Sequence, residues 1–170
     1  MNSEKPLEMM KTFDDHFGYN SDYLRELLKY SPGAYAKYEA FLPMASYRNE
    51  TDINVFFISK LATMRTEDCG ACVQLSIRMA LEAGVPKEII KGALNKGEGL
   101  SKELKDIYDY SVSVSNNSPM PSGLLDKIES RWGKEVIMEL AISIASTKIF
   151  PTIKRALGYA KSCTLVDIEV

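Results

Sequence analysis

The stretch from Arg65 to Gly84, RTEDCGACVQLSIRMALEAG, carries Cys69 and Cys72, the close pair in a chain of three cysteines. Two thiols at that spacing can cycle through a disulfide, supply half of a metal site, or pack as small apolar side chains. A structural zinc site takes four protein ligands, and the remaining candidates, Cys163 and His16, stand alone near opposite ends of the chain. No metal is expected. For redox chemistry the sulfurs must be near each other and one must ionise. Thr66, Glu67 and Asp68 carry oxygens that accept backbone N–H bonds, so a helix is expected to start at one of them, with Cys69 in its first turn. Unpaired amides and the positive dipole end there lower a thiol pKa. Cys72 follows one turn later, and the small Gly70 and Ala71 let the backbone come close. Glu67 and Asp68 push the thiol pKa up again, while Arg65 and Arg78 oppose them. Glu67 is the candidate proton acceptor; its alternative is a solvated first-turn acid held by the dipole. Ser76, one turn beyond Cys72, can donate to the sulfur or to a backbone carbonyl of its own helix.

The elements that must position this pair read as helices throughout. DYLRELLKY from Asp22 ends at the SPG of Ser31 to Gly33, and AYAKYEAFLPMASYR follows with a break or kink at Pro43. TDINVFFISKLATMR offers Asp52 as an N-cap and a buried band of Val55, Phe56, Ile58, Ser59 and Ala62. Gly84 closes the cysteine helix, and Pro86 suits the first turn of PKEIIKGALNKG. Leu100, Leu104, Ile107, Tyr108, Ser111 and Val114 share a helical face, which favours helix over strand for SKELKDIYDYSVSVS. Asn116 to Gly123 is a loop. LLDKIESRWG and KEVIMELAISIASTKIF follow, split at Gly133, with a kink expected at Pro151. The reading is an all-α single domain of many helices: residues 1–50 as a helical extension packed on the core, 51–162 as the core, and 163–170 as a tail.

Composition narrows the function classes. At 170 residues the chain can bury a core without disulfides or metal. A formal net charge of −2 supplies no electrostatic footprint for nucleic acid. The N-terminal MNSEKPLEMMKTFDDHFG lacks the apolar core of a secretory signal, and the run from Val136 to Phe150 contains Glu139 and Lys148 and is short for a bilayer span. A cytoplasmic, membrane-free protein is therefore expected, and in a reducing compartment a C-x-x-C points to redox or metal chemistry. The aromatic cluster Tyr35, Tyr38 and Phe41, with Tyr47 behind it, reads either as a pocket wall or as core and subunit contact. Met79 and Met138 have the same two readings. Lys154 and Arg155 read as a solvated face or a helix-end complement, and His16, flanked by acids, as a surface residue.

The order of an apolar helix, the C-x-x-C, ALEAGVPKEIIKGALNKG and GKEVIMELAISIASTKIFPTIKRALGYA resembles the carboxymuconolactone decarboxylase and alkylhydroperoxidase D-like family over about Asn54 to Ala160. The resemblance implies an all-helical fold in homo-oligomers. It implies a peroxidase that needs no cofactor, in which the cysteines reduce a hydroperoxide and a partner dithiol reopens the disulfide. The peroxidase motif is C-x-x-C-x-x-x-H with a glutamate about three turns upstream. Cys69 and Cys72 match the sulfurs; the histidine position is Ser76 and the glutamate position is Phe57. The departures remove the groups that would take the thiol proton. The helix terminus favours Cys69 as the attacking sulfur, whereas the peroxidase branch uses the second cysteine, here Cys72. The expected function is a thiol oxidoreductase acting on a hydroperoxide or a protein disulfide. Its alternatives are a helical oligomer serving as a binding or scaffold protein, and a lactone decarboxylase.

Overall fold

The computed structural model describes residues 4–159; Cys163 and the tail at 163–170 lie outside them. The described residues form nine helices and no strand: α1 (Glu4–Phe17), α2 (Asp22–Tyr30), α3 (Pro32–Ala45), α4 (Ile53–Thr66), α5 (Gly70–Glu82), α6 (Lys87–Leu94), α7 (Lys102–Ser115), α8 (Leu124–Trp132) and α9 (Lys134–Ala156). The all-α expectation holds.

The centre is α4. Asp52 caps it by accepting from the backbone N–H groups of Asn54 and Val55, and every residue from Val55 to Met64 is buried. A helix apolar on all sides must be enclosed on all sides, and α4 packs against α5, α6, α7 and α9. Its two internal hydroxyls are matched across the α4–α7 seam: the Ser111 hydroxyl donates to Ser59 Oγ at 2.9 Å, and that of Ser115 to Thr63 Oγ1 at 3.1 Å. Residues four apart on one helix thereby meet residues four apart on the other, and the short side chains allow the close approach.

The prolines interrupt less than their type suggests. Both α3 and α9 continue through Pro43 and Pro151, and Pro86 is the N-cap of α6 rather than part of its first turn. α9 thus runs for 23 residues, longer than the Val136–Phe150 run implies, and by length and composition alone could cross a membrane. Half of its apolar window is buried within the fold, against α3, α4, α7 and α8. At Gly133, φ is +91°, which L side chains rarely adopt, so the break between α8 and α9 requires glycine.

The apolar interior falls into two parts. The larger is built around α4 to α9. The smaller joins α1, α2 and α3 through Met10, Tyr23, Leu24, Leu28 and Tyr35. A buried carboxylate ties α9 to the segment before α4. Glu139 accepts from the backbone N–H groups of Asn49, Glu50 and Thr51 and from the Thr51 hydroxyl, the last at 2.6 Å.

Candidate functional site

The cysteines sit where α4 turns into α5. Thr66 ends α4 with its hydroxyl on the Thr63 carbonyl at 2.7 Å, and Glu67 is the C-cap. Asp68 then takes a left-handed conformation, φ +47°, which reverses the chain within two residues. Cys69 is consequently the N-cap of α5, not a residue of its first turn. The Thr66 hydroxyl and the Glu67 backbone N–H are used in ending α4 and the Glu67 carboxylate is taken by Arg155 and Lys148, so the start of α5 falls beyond them. The Cys69 side chain makes no hydrogen bond to the free amides at the start of α5, although its N-cap position is the one at which such amides would favour a thiolate. Cys69 and Cys72 are joined by a disulfide, with 5.2 Å between their Cα atoms.

Glu67 is not a solvated acid. Its residue is 8 % exposed, and its carboxylate meets Arg155 Nη2 at 2.5 Å and Lys148 Nζ at 3.2 Å. Arg155 Nη1 also donates to the Glu67 carbonyl at 2.6 Å, so one guanidinium clamps both ends of the residue. Burial pushes the carboxyl pKa up, but the hydrogen bonds and charges of Arg155 and Lys148 outweigh it and hold the pKa below the usual range. Lys154 and Arg155 lie in the last turn of α9, as the helix-end reading has it; Arg155 is exposed, while the burial of Lys154 corrects the solvated-face reading for that residue. Arg155 anchors the cysteine turn. Lys154 is 8 % exposed, with Nζ 3.2 Å from the Tyr19 hydroxyl and 4.6 Å from the centroid of that ring.

Ser76 donates to the Cys72 carbonyl at 2.9 Å, the ordinary bond of a helix-interior serine. Phe57 is a core residue edge-on to Phe56. His16 is on the surface, 2.7 Å from Glu82, where it ties α1 to α5. Of the aromatic cluster, Tyr35 and Tyr38 form part of a pocket wall; Tyr47 stands 53 % exposed elsewhere, as does Met138 at 54 %.

That pocket is the second half of the site. It has a volume of about 320 Å³ and lies between the two parts of the interior, roofed by Met10 and Phe13 of α1 and floored by Cys72, Leu75, Ser76 and Met79 of α5. Both cysteines are almost wholly buried, 4 % and 2 % exposed, but Cys72 lines this space and the rim residues Met9, Leu42 and Ser46 are exposed. The walls are apolar or phenolic. Burial keeps the hydroxyls of Tyr23 and Tyr38 protonated, the latter with its pKa pushed up to about 12.

One wall residue went unnoticed in the sequence. Lys60 of α4 is 7 % exposed, its Nζ lies 5.4 Å from the Phe56 ring centroid, and its nearest acceptor is the Ala45 carbonyl at 3.5 Å. Burial alone lowers its pKa to about 8. The signal was present: a lysine in the middle of a helix that is apolar on every face has no short route to water.

Among the described residues no three side chains of His, Cys, Asp or Glu gather into a metal site. The arrangement supplies a disulfide at a helix start, an apolar chamber against its second sulfur, and a buried amine in the same chamber. No protein-family model, curated protein or solved structure matches the chain.

Proposed function

We propose that the protein is a thiol oxidoreductase whose Cys69–Cys72 pair reduces a hydroperoxide and is reset by a dithiol. The supporting observation is that the bonded pair borders a chamber through Cys72 alone. A substrate in the chamber meets that sulfur first, so we assign attack to Cys72 and resolution to Cys69, the reverse of the order that the helix terminus alone favours. The Cys72 thiolate takes the terminal oxygen of the hydroperoxide: an S–O bond forms, the O–O bond breaks, and the alkoxide leaves as the alcohol after gaining a proton. The Cys69 thiolate then displaces hydroxide from the sulfenic acid, closing the disulfide and releasing water. A partner dithiol reopens it by two thiol–disulfide exchanges and is itself oxidised.

With Ser76 and Phe57 in place of the peroxidase histidine and glutamate, the proton path differs from the family's. Glu67, held ionised by two cations, acts as an electrostatic anchor of the turn rather than as a base. Lys60 lines the same chamber with its pKa lowered by burial to about 8, and its amine form is able to accept the thiol proton. Cytoplasmic residence suits a pair that a dithiol must reset; assembly into homo-oligomers rests on the family resemblance alone.

The order of attack is tested by trapping sulfenic acid with dimedone after one equivalent of cumene hydroperoxide. Cys69→Ser is expected to label at Cys72, and Cys72→Ser to remain unlabelled. Labelling of Cys69 in Cys72→Ser, with none in Cys69→Ser, would reverse the assignment.

A further inference from the structure

We infer that the chamber between α1, α3, α4 and α5 is a binding site for a medium-chain monocarboxylate, with its carboxylate on Lys60 Nζ and its chain among the methionine and aromatic side chains. Binding there needs no turnover at the cysteines and goes beyond the redox reading.

Lys60 is a buried charge with no counter-charge among the described residues. Among the described residues no carboxylate lies within ion-pair distance of Lys60, and its contacts are a carbonyl at 3.5 Å and the face of one ring. Glu39, the carboxylate on the chamber wall, is half-buried and makes no ion pair with it. An ammonium withdrawn from water without a partner is costly, and proteins rarely retain one in an apolar interior without a use for it. A ligand carboxylate would complete the pair, and would do so in a setting where a charge-assisted hydrogen bond is strong because water is scarce. A bound anion would oppose the lowering that burial imposes on the Lys60 pKa.

Size and wall chemistry define the remainder of the ligand. At roughly 30 Å³ for each water-sized group, 320 Å³ holds about ten non-hydrogen atoms. Met10, Phe13, Leu42, Met64, Met79 and Phe150 present hydrocarbon and thioether surface to them. Methionine is the unbranched, adaptable side chain that accommodates chains of varying shape. A second charge on the ligand has no cation to meet: Lys154, the other buried lysine nearby, is engaged by the Tyr19 hydroxyl and the Tyr19 and Tyr23 rings and does not line the space. One anionic head and one apolar chain satisfy the walls.

Octanoate has ten non-hydrogen atoms, and 1-octanol shares its chain without the charge. Both are titrated calorimetrically into the oxidised full-length protein. Octanoate is expected to bind at least ten times more tightly than octanol. In Lys60→Met the octanoate affinity falls at least tenfold while octanol binding is kept, which also shows that the chamber is still formed. Leu75→Trp, which fills the chamber from α5, is expected to abolish both. Equal affinity for the two probes, no binding of either, or octanoate binding unchanged in Lys60→Met would overturn the inference. Cys69→Ser, which breaks the disulfide cycle while leaving every chamber-lining residue in place, is expected to bind octanoate like the parent, so loss of peroxide chemistry and loss of this site are read separately.

Discussion

Two charges are buried in this protein under opposite conditions. Glu139 is enclosed at the junction of α9 with the segment before α4, and four donors converge on its carboxylate. Lys60 is enclosed at the chamber wall and receives almost nothing. Burial pushes each toward its neutral form. For Glu139 the Thr51 hydroxyl and the backbone N–H groups of Glu50, Asn49 and Thr51 outweigh burial and hold the pKa at about 2; for Lys60 burial is unopposed. A satisfied buried charge fastens chain segments together. Lys60, with a carbonyl at 3.5 Å and one ring face, fastens nothing comparable.

The sharpest way to break that contrast is Glu139→Gln. The amide cannot accept from all four donors, and one pKa unit corresponds to about 1.4 kcal/mol, so a shift from 4.5 to about 2 implies a loss on the order of 3 kcal/mol in urea unfolding at pH 7. The sign follows from a folded pKa below the unfolded one. The stabilisation is complete above about pH 4.5 and fades as pH falls towards 2, and the difference between parent and variant should close over that window.

Lys60→Met should act in the opposite direction. Removing an unpaired ammonium from an apolar wall is expected to stabilise the protein by about 1 to 3 kcal/mol at pH 7. The folded pKa lies below the unfolded one, so the cost is full below about pH 8 and declines as pH rises towards 10.5. Glu39 and the phenols of Tyr19, Tyr23, Tyr35 and Tyr38 also face the chamber, so Glu39→Gln serves as the control and should leave the crossover near pH 8.

Glu67 lies between the two extremes: buried, with two partners that are each about two-fifths exposed. Glu67→Gln is expected to cost about 1 kcal/mol after allowance for screening, and to speed amide hydrogen exchange through the turn at 67–70. The His16–Glu82 pair, 57 % exposed on both sides, is the weakest. His16→Ala should change stability by less than about 0.5 kcal/mol.

What was legible in the sequence was whatever local patterning controls. Asp52 as the cap of α4, the burial of Val55, Phe56, Ile58, Ser59 and Ala62, the helical reading of Ser101 to Ser115 and the stop at Gly133 all rest on side chains acting within a few residues. Spacing alone also made the approach of the two sulfurs legible. The site's surroundings were not, because they come from residues far apart in the chain. Arg155 reaches Glu67 across 88 positions, and the chamber is assembled from α1, α2, α3, α4, α5 and α9. Tyr35 and Tyr38 illustrate the divide: their helical spacing is equally that of a core and of a pocket wall, and only the position of α1 and α5 decides. Cys69 moved from first turn to N-cap for a related reason. The Thr66 hydroxyl went to closing α4 and the Glu67 carboxylate to Arg155 and Lys148, uses that a cap motif read in isolation does not reveal.

The central claim is that Cys69 and Cys72 form a reversible redox pair open to substrate through the chamber. The direct measurement is a thiol count on the reduced protein carrying Cys163→Ala, before and after one equivalent of cumene hydroperoxide, with peptide mass mapping of the product. Two thiols should disappear together, give a Cys69–Cys72 cross-link and return on addition of a dithiol. Two thiols that persist after peroxide in the folded protein would contradict the account.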